Sequence, residues 1–508
     1  MNKLLLLFNT VKYLKSKQIY FRLYYFLRKR YRKVIGYQYE ITKKSDVTSL
    51  KLDKSIENHY SNVEDNNFSF LNFSKKFNND INWNYNEYGK LWTYNLTYFE
   101  YLKKKEDIFY IYDFIEKIES VKDGLEPFPI SLRGLSWIKF LTFENIRDKK
   151  IDDSLYAQYY ILLDNLEYHL LGNHLLENGF SLLFGAYYFE DEKLYKKAVD
   201  ILTDELDEQI LEDGGHFELS SMYHQIMLFR VLDCINLVKN NSWKDREILK
   251  YLEQKVSLML GWLKNITYRN GNIPLLNDST NKIAPTSSEL FEYAIRLSIN
   301  YQPSLMIQSG YRKIEKEHYE CVVDIGEVGA SYIPGHAHAD TFNFELRMDT
   351  KPFIVDSGLS TYETNETRFY ERSTKAHNTI EVLDKDSSEV WGGFRVANRA
   401  NIIELVENFH YLKATHDGYK KQGVLHTREW KFEENRIVIQ DSLNSDVDAI
   451  ARLHFHPDVT EDEIKEKIVF SSKFEISNYN YAKEFNKTEK ALVLEIEFSK
   501  ELEVEILI

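Results

Sequence analysis

Cysteine, proline and glycine are scarce in this 508-residue chain, which holds 2 Cys, 8 Pro and 20 Gly. The two cysteines, Cys234 in the helical run "MLFRVLDCINLV" and Cys321 in "YECVVDIG", lie far apart and have no CxxC partner. That excludes a disulfide framework and reads as two buried small apolar side chains. So little proline and glycine argues against long disordered linkers. No run of about 20 apolar residues exists, so no segment is expected to span a membrane. The apolar stretch Leu4–Phe8 is too short for a signal peptide, and no small-residue cleavage site follows it.

Excess positive charge is lacking as well. Lys and Arg total 65 against 79 Asp and Glu, a formal charge of −14. Nucleic acid is therefore not the expected partner, whereas a locally basic groove for an anionic sugar polymer remains compatible. What the chain does have is 36 Tyr and 31 Phe. AT-rich coding bias explains them most simply, and aromatic stacking on sugar rings is the functional alternative. The N-terminal stretch carries Arg28, Lys29, Arg30, Arg32 and Lys33 among aromatics. It reads as a helix packed on its own domain or, alternatively, a basic amphipathic helix on a membrane surface.

A chain this long needs more than one core. From about residue 90 to 300, segments such as "YAQYYILLDNLEYHLL" and "EKLYKKAVDILTDELDEQI" repeat apolar residues at spacings of three and four, the helical signature. After about residue 317 short alternating runs such as "FNFELRMD", "HNTIEVLD" and "ALVLEIEFS" predict antiparallel strands. Helices followed by strands imply separate domains. The expected division is a helical or irregular extension over 1–85, a helical domain over 86–310 and an antiparallel β-sandwich over 311–508.

Four stretches carry chemistry. In "GHAHADTFNFEL" (335–346), His336, His338 and Asp340 alternate into a strand-like run, which would place them on one strand face. In "GNHLLENGF", Asn173 with Glu177 and His174 with Asn178 are pairs four apart on one helix face, though Asn173 could equally be a cap. In "LEDGGHFELSSMYHQIML", Asp213-Gly214-Gly215 reads as a tight turn and Ser220 or Ser221 as the cap before Tyr223 and His224. The fourth, "STYETNETRFYERSTKAHNTIEVLD", carries Tyr362, Arg368 and His377, with Asp356 upstream. His338, Asp356 and His377, two imidazoles and a carboxylate on neighbouring strands, would suit zinc.

Together "NHLLENG", "DGGHFE", "SMYH", "GHAHADTFNFEL", "STKAHNTIEV" and "SEVWGGFRV" resemble, in order, the heparinase II/III-like polysaccharide lyases. The resemblance implies an N-terminal (α/α) toroid of helical hairpins followed by an antiparallel β-sandwich. It also implies a carbon–oxygen lyase that cleaves uronic-acid-containing polysaccharide by β-elimination. Asn173 and His174 would then hold the substrate carboxylate. Tyr223 would be general acid, and also base when both protons lie on one side, with His336 the base for the opposite C5 configuration. Glu177, His224, Arg133, Tyr362 and Arg368 are the candidate substrate contacts, and "LWTYNLTYFEYL" and "PFPISLRGLSWIKF" candidate aromatic platforms. His338, Asp356 and His377 match the structural zinc site of some members. If His336 faces the cleft while His338 is tied down behind it, the strand must begin at or after His338. The resemblance further implies members found beside surface-polysaccharide assembly machinery, and with a charge of −14 a capsule or exopolysaccharide repeat is the expected substrate. The lack of a clear signal peptide gives the expected location as cytoplasmic or membrane-peripheral, with periplasmic as the alternative. A zinc-dependent glycan hydrolase and a non-catalytic glycan-binding protein are the competing readings.

Overall fold

The computed structural model describes residues 3–39, 46–78 and 80–508. Helices α1 (Lys3–Val11) and α2 (Ser16–Val34) open the chain, and the side chains up to Leu5 lie outside the described ones. The extension expected to be helical or irregular also contains a small antiparallel sheet, β1 (Asn62–Glu64), β2 (Asn67–Phe70) and β3 (Phe73–Lys76). Its buried Phe68 and Phe70 pack on Tyr101 and Trp92, which ties it to the helices that follow.

Those helices are α3 (Lys90–Tyr98), α4 (Ile108–Lys117), α5 (Pro127–Phe143), α6 (Lys149–Asp164), α7 (Gly172–Phe189), α8 (Glu192–Gln209), α9 (Ser221–Asn240), α10 (Glu247–Ile266) and α11 (Ser287–Arg296). Odd-numbered α5, α7 and α9 pack side by side, and each also packs against the even-numbered helix that follows it. This is the double layer of an (α/α) toroid. Burial follows the layers. Every residue of α7 except His174 is buried, whereas α8 buries one apolar stripe (Leu194, Ala198, Ile201, Leu202, Leu206) with Glu205 and Gln209 and turns most of its charges outward.

Strands take over with β4 (Tyr311–Glu315), β5 (Tyr319–Asp324), β6 (Phe344–Met348) and β7 (Lys351–Ile354), an antiparallel sheet in sequential order. A six-stranded sheet runs 402–408, 411–416, 426–432, 436–443, 501–507, 468–469, and a four-stranded one runs 474–484, 487–499, 448–454, 380–382. Alternating inward residues such as Trp430, Phe432, Ile437, Ile439, Leu494, Ile496, Val504 and Ile506 form their shared core. Both Cys234 and Cys321 are buried free thiols.

Strand β6 begins only at Phe344, so His336, His338 and Asp340 do not share a strand face as the alternation suggests. Phe342 has φ of +72°, a left-handed backbone that interrupts any strand through it. The segment before it is an irregular loop. The Asp213-Gly214-Gly215 turn does form. Its Asp213 carboxylate accepts from the Gly215 N–H (3.0 Å) and from the Ser309 N–H and hydroxyl (both 2.8 Å), tying the turn to the chain entering the sandwich.

Gly214 sits at φ +89° in that turn, and a Cβ there would lie 2.1 Å from the Leu258 carbonyl oxygen of α10. Gly214→Ala is therefore expected to destabilise the protein by about 1–3 kcal/mol in denaturant unfolding, through strain and overpacking.

Candidate active site

Helix α9 starts where Ser220 caps it, its Oγ accepting from the Tyr223 N–H at 3.2 Å. The cap fixes Tyr223 in the first turn. Its ring packs on the His336 imidazole with centroids 4.0 Å apart, and its hydroxyl lies 3.1 Å from that of Tyr362. A phenol from the helical half thus meets an imidazole and a second phenol from the sheet half. Burial pushes the Tyr223 hydroxyl far above its ordinary range, so it stands as a proton donor.

Helix α7 begins with Leu171 and Gly172 both near φ +61°. Asn173 lies inside the helix and is not its cap. Its side-chain amide makes no hydrogen bond within the protein among the described residues, leaving both ends free for a ligand. Four residues on, Glu177 faces the same cleft but is paired with Arg230 at 3.1 Å, which also binds Glu100 at 2.9 Å. The other expected pair also shares a face: His174 Nδ1 and Asn178 Nδ2 meet the two oxygens of Glu167 at 3.2 and 3.0 Å. The His174 ring lies against Phe128, a cleft residue, and remains partly exposed.

Asp278 organises the sheet side. It comes from "RNGNIPLLNDST", the turn-rich loop between α10 and α11, and it is fully buried. One carboxylate takes four bonds: Nδ1 of His336 (2.8 Å), Nε2 of His338 (2.8 Å) and both terminal nitrogens of Arg368 (2.5 and 2.7 Å). Burial would raise its pKa, but the Arg368 guanidinium and the two imidazoles hold it well below the usual carboxylate range. His336 Nε2 is left pointing toward Glu218, 3.7 Å away. The Asn173 backbone N–H lies against the buried Glu218 carboxyl, and burial raises that carboxyl above its ordinary range. His336 and His338 are therefore joined through Asp278, with only His336 against Tyr223.

The cleft beside these groups encloses about 640 Å³. Asn173, Glu177, Tyr223, Tyr362 and Phe485 line it, together with Tyr98, Phe99, Phe128 and Phe140 from the two aromatic segments. The other large rings of those segments, Trp92 and Trp137, are core residues. Charges on the walls balance: Lys54, Lys103, Lys139, Arg230 and Lys282 against Glu57, Glu100, Glu144, Glu177 and Glu289.

Three expected substrate contacts are corrected. Arg133 is fully buried, bonded to Gln158 and to the carbonyls of Thr97 and Gly124, and burial lowers its pKa to about 9. It braces α5 and touches no cleft. His224 points away from Tyr223, onto the Met259 carbonyl (3.0 Å) and the Trp262 ring, and burial holds it neutral. Arg368 is also fully buried and reaches the site through Asp278 and the Tyr362 ring, over which its guanidinium lies at 5.2 Å. Tyr362 lines the cleft as expected.

Behind the cleft, His377 Nδ1 meets Asp356 Oδ2 at 2.7 Å, and the His338 and His377 rings lie 5.2 Å apart. Nδ1 of His338 and Nε2 of His377 are buried without a partner. Among the described residues no three such side chains are already arranged as a cation site.

The chain is thus an (α/α) toroid followed by an antiparallel β-sandwich, with Asn173 and Tyr223 on the wall of its cleft and His336 packed against Tyr223. The heparinase II/III N-terminal family model matches residues 140–297, and the heparinase II/III-like C-terminal model matches residues 299–499. The chain belongs to the heparinase II/III-like family. Heparin-sulfate lyases of Bacteroides stercoris (22% identical over 338 residues, 61% of this chain and 49% of theirs) and Pedobacter heparinus (24% over 276 residues, 49% and 40%) align with it. The chain thus spans half or less of these curated relatives. A crystal structure of heparinase III shares the fold at TM-score 0.60 and 14% identity, covering 86% of this chain and 80% of that one. Heparan sulfate lyase HepC from Pedobacter heparinus does so at 0.54 and 16%, covering 86% and 79%.

Removing the Asp278 charge leaves the Arg368 guanidinium buried and uncompensated. Asp278→Asn is expected to cost about 3–5 kcal/mol in equilibrium unfolding, and the double variant with Arg368→Met to recover part of that loss.

Proposed function

We propose that this protein is a polysaccharide lyase that cleaves a uronic-acid-containing glycan by β-elimination. The observation that carries the reading is a sugar-sized cleft lined by Tyr223 and an unengaged Asn173, with the His336 ring packed 4.0 Å from that of Tyr223. Elimination needs the C5 proton removed while the neighbouring carboxylate is neutralised, and the C4 oxygen protonated as it leaves. Asn173 offers an amide to the carboxylate and the resulting enolate, with His174 beside it. Tyr223, held protonated by burial, donates to the leaving oxygen. Asp278 accepts the His336 Nδ1–H, which leaves Nε2, now facing Glu218, as the basic nitrogen for uronates of the opposite C5 configuration.

The balanced cleft favours a lightly charged uronate polymer, such as a capsule or exopolysaccharide repeat, over a heavily sulfated one. Several of its cations are already engaged: Arg230 with Glu177 and Glu100, Lys139 with Asp233, and Lys282 with Glu484. Few are left to meet sulfate groups.

A structural zinc held by His338, Asp356 and His377 belongs to the same reading. The donor set fits in kind, because each imidazole keeps a buried nitrogen without a protein partner and burial lowers His338 to about 4, which keeps it neutral. Such an ion would fasten the loop before β6 to the strands behind it and take no part in proton transfer.

Incubation with a panel of uronate polymers, followed by the ultraviolet absorbance of the unsaturated product, tests the activity. Tyr223→Phe should slow the reaction at least about a hundredfold with binding retained. Cleavage that incorporates water and yields no unsaturated sugar would instead establish the hydrolase. For the metal, His338→Ala should lower both the melting temperature and the zinc content of the protein. Wild-type melting that is identical in chelator and in zinc would remove the ion from the account.

A further inference from the structure

Helix α2 is amphipathic the wrong way round for a helix covering a core. Its inward stripe is polar or tethered. Gln18 donates to the Leu170 carbonyl (2.9 Å) and Tyr25 to that of Leu166 (2.6 Å). Arg28 donates to the Asp164 carbonyl (2.6 Å), and Arg32 reaches the Asp164 carboxylate (2.5 Å). Phe21 stacks on Tyr168 with centroids 4.7 Å apart. The outward stripe is Tyr20, Leu23, Tyr24, Leu27, Tyr31 and Val34, spaced by three and four, with exposures from 42% to 84%. On α1, Leu7, Phe8 and Val11 are exposed as well. An apolar stripe this long, left in water and fixed there by a polar underside, marks a binding surface.

Charge identifies what it meets. Residues 1–39 hold ten of the chain's 65 Lys and Arg and none of its 79 Asp and Glu, so the rest of the molecule is more acidic than the total of −14 indicates. Lys29, Arg30 and Lys33 are exposed beside the stripe. A second copy docking through the same face would bring these cations together, and an acidic polysaccharide would leave Leu23, Leu27 and Val34 unused. Aliphatic side chains and tyrosine rings flanked by lysine and arginine match the boundary of an anionic bilayer. We propose that α1 and α2 lay this protein on an anionic lipid surface, with the outward stripe of α2 entering the headgroup region. No helix among the described residues is long and apolar enough to cross a membrane, so the attachment is peripheral.

The helices are also fastened to the body. Lys15 pairs with Glu208 on the toroid and lies over the Tyr332 ring at 4.2 Å. Thr10 accepts from the Trp391 indole at 3.1 Å, and Arg399 covers Tyr13. The lipid-facing helices thus rest on sandwich loops, one of which leads into His336, so attachment would set how the cleft is presented relative to the surface.

The test is co-sedimentation of the purified full-length chain with vesicles. Wild type should pellet with equal parts phosphatidylglycerol and phosphatidylcholine and much less with phosphatidylcholine alone. Leu23→Glu with Leu27→Glu, both at exposed positions, should weaken binding at least about tenfold at an unchanged melting temperature. Lys29→Glu, Arg30→Glu and Lys33→Glu together should do the same. Wild type that stays in the supernatant with the anionic vesicles overturns the proposal, as does a Leu23→Glu/Leu27→Glu variant that binds like wild type. So does a dimer in ultracentrifugation that this double variant abolishes while vesicles go unbound. Retention on an acidic polysaccharide without vesicle binding overturns it too.

Discussion

One buried carboxylate holds the two halves of this molecule in register. Asp278 lies on the loop between α10 and α11 of the toroid, and it receives a bidentate guanidinium and two imidazoles from the sheet side. An ionised carboxylate without water is costly, and only charged, well-directed partners offset it. Arg368 supplies the charge, while His336 and His338 use the remaining lone pairs. Because the partners come from different parts of the sequence, the carboxylate is satisfied only when toroid and sandwich are docked. The site is therefore assembled by the same contact that stabilises the junction.

Much of the architecture was legible. Spacings of three and four, and then of two, separated helices from strands, because each periodicity reports which face meets a core. The pairs Asn173–Glu177 and His174–Asn178 followed from helical geometry alone. The hidden residues have a common cause. Asp278 lies in a stretch of turn-forming residues whose composition says nothing about burial, and no local pattern announces a carboxylate that will be shared by three distant side chains. Tyr223 and His224 are neighbours in sequence, yet about 100° of helix rotation sends one to the cleft and the other to Trp262. Arg133 shows the same limit, since an arginine inside an apolar helix can brace carbonyls as readily as it can bind an anion.

The loop before β6 shows how a pattern can mislead and still point to the right residues. Alternation in "GHAHAD" looks like a strand, but the backbone turns at Phe342 and pairing begins only at Phe344. Both imidazoles nonetheless reach one carboxylate, one from each side. The loop also gives them different surroundings, which a strand face would not: His336 lies against Tyr223, and His338 is enclosed next to His377. A strand would have given them equivalent surroundings; the loop sets one against a cleft tyrosine and encloses the other.

Charge is distributed as deliberately as shape. The cleft walls balance acids against bases and engage several cations internally, so little net field remains to attract a densely charged polymer. Lys29, Arg30 and Lys33 are instead exposed on the second helix, in a segment with no acid of its own. Exposed cations next to an exposed apolar stripe are not explained by solubility, because solvation needs no apolar partner. The two features make sense together only against a surface that is apolar within and anionic at its boundary, and the polar underside of α2 is what keeps that stripe from folding back onto the toroid.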